Sequence, residues 1–197
     1  MPDAALTGFG ALSVALGVAG YVPYVRDTLA GRTKPHLFSW LIWGGGTAVA
    51  FAGQVRGHGG PGAWVSGVTV AGCATIVALA ARNGIGYVTV VDWFCAGGVL
   101  AAAGCWVGLG LPVVAIIAGR VVDAAGFVPT LLKSWRRPSE ETLSIYVLSA
   151  VKFGCAALAL ARVTVLTALF PLVASVQELA VVVVIVVARR RVVGVLV

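Results

Sequence analysis

The stretch Gly20-Tyr21-Val22-Pro23-Tyr24-Val25-Arg26-Asp27-Thr28-Leu29 returns 106 positions later as Gly126-Phe127-Val128-Pro129-Thr130-Leu131-Leu132-Lys133-Ser134-Trp135. Each copy closes an apolar run, carries a proline near its end, and leads through a short basic loop into another apolar run. The same offset, with no gap, pairs Leu37 with Leu143, Ala50 with Ala156, Arg56 with Arg162, Trp64 with Phe170 and Val70 with Val176. A duplication this long in so apolar a chain predicts a membrane protein of two similar halves. Such halves usually place a solute pathway at their interface.

Composition agrees. The 197 residues are 60% hydrophobic and 11% charged, with a mean hydropathy of +1.02. A soluble domain of this size could not cover such a chain with polar surface. The net charge of +7 does not point to nucleic acid, because the basic residues sit singly or in threes at the ends of apolar runs. Cys73, Cys95, Cys105 and Cys155 all fall inside apolar runs without a histidine at metal-ligand spacing, and are read as small packing residues. No cleavable signal is expected, since the first run lacks a positive flank and continues to Val25.

A membrane-spanning helix needs about 20 apolar residues. Seven segments qualify: 4–27, 37–56, 62–82, 88–108, 111–134, 143–161 and 164–188. The expected fold is therefore an all-α integral membrane protein of seven transmembrane helices. The least marked break is Gly108-Leu109-Gly110-Leu111-Pro112, which turns without a charge, so a re-entrant segment there is the alternative. With the amino terminus outside, the inner loops hold Arg26, Arg32, Lys34, Arg82, Lys133, Arg136, Arg137 and Arg189 to Arg191, and the outer loops only Arg56 and Arg162. That bias of 10 against 2 predicts an outside amino terminus and a cytoplasmic carboxyl terminus, in a cell (inner or plasma) membrane.

The count of seven follows from the duplication. A second triplet directly after the first would enter the bilayer upside down, so an extra crossing is needed to make the copies parallel. The expected organisation is residues 1–84 as a first three-helix repeat, 85–110 as a linker helix, and 111–197 as a second repeat with a short tail. Gly104 and Gly108 on the linker have a spacing that lets helices approach. The tail, three arginines then an apolar hexapeptide, is expected to lie along the membrane surface.

Seven helices in 3+1+3 order, with Pro23-Tyr24 followed by Lys34 and Ser39-Trp40, and the echo Pro129-Thr130 followed by Ser139, resemble the SWEET sugar transporters and the wider PQ-loop superfamily. The resemblance implies two parallel three-helix bundles joined by a linker helix, with Pro23 and Pro129 as hinges for alternating access. Neither copy has the glutamine after proline, and the only asparagine is Asn83, so the central asparagine of the sugar-binding members has no counterpart. Such members also include amino-acid carriers and a peptide receptor, so the fold does not choose the ligand.

The charges at mid-span are the informative exceptions. Asp123 lies in the fifth run, with Arg120 one turn away on the same face; Lys152 lies in the sixth and Glu178 in the seventh. Each costs roughly 2.5–3.5 kcal/mol alone in lipid, so each should face inward and find a partner. Subtracting 106 from Asp123, Lys152 and Glu178 gives Gly17, Gly46 and Gly72. This predicts an asymmetric central site in which the second half supplies charge and the first half supplies room. Two readings stand: a buried ion network fixing the helices, or a wet cavity where an acid meets solute or a proton. Trp43 is assigned to the cavity, Trp40 to the headgroup interface, His36 to a solvated loop, and Gln177 to a helix partner.

The leading functional expectation is a secondary transporter or facilitator of a small polar solute, zwitterionic or charged, working by alternating access and open to proton coupling. The alternative is a membrane receptor or assembly subunit that grips a peptide or protein through the same cavity. An enzyme is not expected, because the only histidines, His36 and His58, lie in loops. No phosphate-binding Gly-x4-Gly-Lys loop is present, and no cofactor or metal is expected. With both triplets in one chain, oligomerisation is possible but not required.

Overall fold

The computed structural model describes residues 2–31, 35, 37–82, 90–136, 138 and 143–194, leaving aside the side chains at 91, 92, 125, 126, 128–130, 133 and 192–194. Among the described residues the secondary structure is entirely helical. Seven α-helices follow one another: α1 (Asp3–Leu29), α2 (Leu37–Arg56), α3 (Trp64–Arg82), α4 (Val90–Val107), α5 (Pro112–Arg136), α6 (Leu143–Leu158) and α7 (Val165–Gly194). A 3-10 turn, Gly60–Ala63, leads into α3.

Three of these are long and apolar enough to cross a membrane: Asp3–Leu29, Gly60–Arg82 and Val165–Arg191. Leu143–Leu158 is apolar but shorter. In α2 the glycine triplet Gly44–Gly46 and two tryptophans dilute the hydropathy. The outward surface is nonetheless that of a membrane protein. On α4, Phe94 is 85% exposed and Val107 is 87% exposed, and apolar side chains on every other α-helix are also turned outward.

The charge-free turn between α4 and α5 is sharp. Gly110 takes φ +66°, a left-handed conformation that a side chain would strain, and its N–H returns to the Trp106 carbonyl at 3.0 Å. Pro112 then opens α5, where a missing N–H costs nothing. Two separate helices therefore meet at this point. At the start of α7, Thr164 and Thr167 cap one another: Thr164 N–H donates to Thr167 Oγ1 at 2.9 Å, and Thr167 N–H to Thr164 Oγ1 at 3.3 Å.

Helix packing repeats under the 106-residue shift. α3 packs on both α1 and α2, and α7 on both α5 and α6. Across the middle, α1 lies against α6 and α2 against α5, while α3 touches α6 and α2 touches α7. Exchanging each helix for its copy returns the same set of neighbours. α4 stands at the edge, against α5 and α2. The copies differ at one junction. The first enters α3 through the 3-10 turn, whereas the second runs unbroken through α7 with Pro171 buried inside it.

One end of the bundle is packed shut. The segment Gly57–Ala63 folds across it and bonds into the second half, Gly62 N–H to the Ala159 carbonyl and Ala161 N–H to the Gly59 carbonyl, both at 3.0 Å. At Gly62 a Cβ would stand 2.7 Å from the Ala156 carbonyl oxygen, so only glycine lets the backbones meet. Beneath this seal Ala50, Val65, Phe153, Ala156, Phe170 and Ala174 form a dry cluster.

One expectation about packing is corrected. A Cβ on Gly104 would meet nothing within 4 Å, and one on Gly108 only the carbonyl of Gly104, so this pair mediates no helix approach. The close approaches of α4 are Gly98 against Val122 and Val99 against Gly45. At the basic end of the chain α7 continues to Gly194. Arg191 stacks on Trp135 at 4.3 Å, and Arg189 donates to the Pro138 carbonyl at 3.2 Å; residues 195–197 lie outside the described residues.

Candidate functional site

Below the dry cluster lies a cavity of about 420 Å³, within the roughly 300–1,000 Å³ usual for small-molecule sites. It extends from the middle of the bundle toward the end where α1 runs into α2 and α5 into α6. Its lining comes from both halves, and much of it in corresponding pairs: Gly17 with Asp123, Tyr21 with Phe127, Trp40 with Tyr146, Trp43 with Ser149, and Thr47 with Phe153. The site is thus built on the axis relating the two copies.

All four mid-span charges face this cavity. Their partners differ. Arg120 Nη1 donates to Asp123 Oδ2 at 3.1 Å, one turn apart on α5, and the guanidinium lies over the Phe170 ring at 4.4 Å. That pair satisfies itself. Lys152 is 8% exposed, yet among the described residues no carboxylate stands within 4 Å of its ammonium. Nζ rests instead over two rings, Phe153 at 4.7 Å and Tyr21 at 5.4 Å. Glu178 is within electrostatic reach of Lys152, which attracts it, and of Asp123, which repels it, and among the described residues it closes no salt bridge.

The three glycines do make room, though only Gly17 lines the cavity. A Cβ there would stand 4.0 Å from Lys152 Cδ. Gly46 lies one layer back, where a Cβ would stand 3.5 Å from Arg120 Nη2, in ordinary contact with the guanidinium. Gly72 lies behind Tyr21, whose ring carbons would be 2.7 Å from a Cβ. Its absence lets the tyrosine lie flat on α3, where the hydroxyl donates to the Thr69 carbonyl at 3.5 Å.

Trp43 lines the cavity, as expected. Trp40 does so too, and its headgroup assignment is corrected: it packs on Tyr24 at 5.0 Å, on Trp43 at 5.5 Å and on Tyr21 at 6.3 Å between ring centroids. Gln177 lines the cavity and also stands beside Asp123 on the neighbouring helix α5, as a residue facing a helix partner would. Its amide atoms and Thr69 Oγ1, on a residue 7% exposed, are buried and complete no hydrogen bond among the described residues.

Of the expected hinges, Pro23 sits within α1, exposed on its outer face, and α1 continues through it to Leu29. The side chain of Pro129 and all of His36 lie outside the described residues. The proline that the sequence reading passed over is Pro171. Having no N–H, it leaves the Thr167 carbonyl without its usual helical donor. Gln54, fully buried on α2, fills that place with Nε2 at 3.2 Å. Tyr21 and Tyr24 were also passed over as site residues, although they stand in the best-repeated stretch of the chain, with aromatic Phe127 as the echo of Tyr21.

No protein-family model matches this sequence, and neither a curated protein nor a solved structure is similar to it.

Proposed function

We propose that this chain is a secondary carrier or facilitator for a small zwitterionic or charged solute, working by alternating access between two parallel three-helix units. In this reading all seven helices cross the membrane, α4 restores the direction of the second unit, and the amino terminus lies outside. The sealed end then faces outward and the cavity faces the cytoplasm.

The observation that carries the proposal is the cavity on the repeat axis, lined by both copies and holding Lys152 and Glu178 without a salt bridge among the described residues. A buried network built only for stability would leave no such pair open, because an uncompensated charge in apolar surroundings costs several kcal/mol. The closure at one end fits one state of an alternating-access cycle. Exchanging the roles of the two ends is what a pseudo-symmetric pair of triplets can do by rocking.

The test is uptake of labelled solutes into vesicles containing only the purified protein. Saturable uptake, lost in Lys152→Met and insensitive to outside pH in Glu178→Gln, is the expected result. Specific binding with no flux in any vesicle preparation would instead establish a receptor.

A further inference from the structure

Arg120, Asp123 and Lys152 stand deep in the cavity, with Arg120 over Phe170 at 4.4 Å, while Gln177 and Glu178 lie seven and eight residues further along α7, about 10.5 and 12 Å nearer the mouth. Aromatic side chains line the same outer half. A Cβ on Gly46 would stand 3.5 Å from Arg120 Nη2, and Trp43 and Trp40 lie three and six residues nearer the mouth, about 4.5 and 9 Å along the helix. Tyr21 joins the two halves, touching Lys152 on one side and Trp40 on the other.

We infer that the solute is a small aromatic zwitterion of the size and charge pattern of an aromatic α-amino acid. Its carboxylate would meet the Lys152 ammonium, its ammonium the Glu178 carboxylate, and its ring the Trp40–Trp43 wall. The inference rests on the carrier reading for the fate of the solute, not for its binding.

Three observations lead to it. The Lys152–Glu178 pair is split: the two groups sense one another but do not close, so a molecule bearing both charges bridges the gap and neutralises each. Arg120 and Asp123 are already engaged with each other, which leaves one cation and one anion rather than two of either. The aromatic wall lies at about the depth of Glu178 and nearer the mouth than Lys152, so a solute with its carboxylate inward and its ammonium at Glu178 sets its ring against Trp43 and Trp40. A sugar would use the aromatic wall but not the split pair. A purely cationic amine would use the aromatic wall and Glu178, and would leave Lys152 unsatisfied.

The experiment is calorimetric binding to the purified chain in lipid nanodiscs. The probes are L-tryptophan, tryptamine (no carboxylate), indole-3-propionate (no ammonium), L-leucine and D-glucose. L-tryptophan is expected to bind about tenfold or more tightly than each of the others, since each lacks one charge-assisted contact or the ring. Lys152→Met should erase the preference over tryptamine, and Trp43→Leu the preference over leucine. Both variants are checked for monodisperse elution, and the ligand panel on the unaltered protein decides the matter if either misfolds. Equal or tighter binding of leucine, glucose or a singly charged analogue overturns the inference. Tryptophan binding without vesicle uptake would sink the carrier reading and leave this one standing; uptake confined to a non-aromatic solute would do the reverse.

Discussion

Gln54 Nε2 donates to the main-chain carbonyl of Thr167 across 3.2 Å, joining α2 to α7 at the sealed end of the bundle. The bond exists because Pro171, one turn on, has no N–H to offer that carbonyl. Gln54 is fully buried, so the contact is shielded from water and spans the two halves of the duplication.

Gln54→Leu should therefore lower thermal stability in detergent, by about 1–3 kcal/mol, by stranding a buried carbonyl. Pro171→Ala restores the helical donor. In that background the Gln54 substitution should cost less, giving a coupling on the order of 0.5–3 kcal/mol in a double-mutant cycle. Strictly additive effects would mean that the proline is not the reason for the glutamine.

Asp123→Asn removes the only carboxylate paired with Arg120 among the described residues, and the Arg120 side chain is 7% exposed. A loss of about 3–5 kcal/mol is expected for an abandoned buried charge, with most of it regained when Arg120→Met is added. Glu178→Gln should cost distinctly less, since Glu178 closes no salt bridge among the described residues. Equal losses in the two single variants, read by thermal unfolding, would show that Arg120 and Asp123 are not a self-contained pair.

Gly17→Asp places in the first half the residue that the second half has at Asp123. Its Cβ would stand 4.0 Å from Lys152 Cδ and 3.3 Å from Val65 Cγ2, so the substitution fits with a small shift of Val65. The new carboxylate should capture the Lys152 ammonium. The expected outcome is unchanged or raised thermal stability with solute binding weakened about tenfold or more, whereas Gly17→Ala binds as before. Full binding by Gly17→Asp would remove Lys152 from the anion-binding role.

Much of the helix arrangement was legible in the residues. Seven apolar runs, the turn residues between them and the constant 106-residue offset are local or translational signals, and each of the seven helices falls where a run does. Arg120 and Asp123 were readable as a pair because three residues on a helix bring two side chains to one face. The three charge-for-glycine exchanges pointed at one central place, and the structure brings Asp123, Lys152 and Glu178 to a common cavity there.

Other features could not be read this way. On a helix that is apolar all round, no amphipathic stripe tells which face looks inward, so the place of Trp40 in the cavity wall was not legible. Gly104 and Gly108 had a suggestive spacing but face open space, because spacing says nothing about which helix comes near. The Gln54–Thr167 bond joins residues 113 apart in sequence, and only the meeting of α2 with α7 creates it.

The order of residues alone determined an all-helical, membrane-suited chain made of two copies with mid-span charge confined to the second, because hydropathy and repetition are properties of sequence. It also paired Arg120 with Asp123, which share one helix. The tertiary structure decided that Lys152 and Glu178 open to the same cavity, because the separation of side chains on different helices is written in no single stretch of the chain.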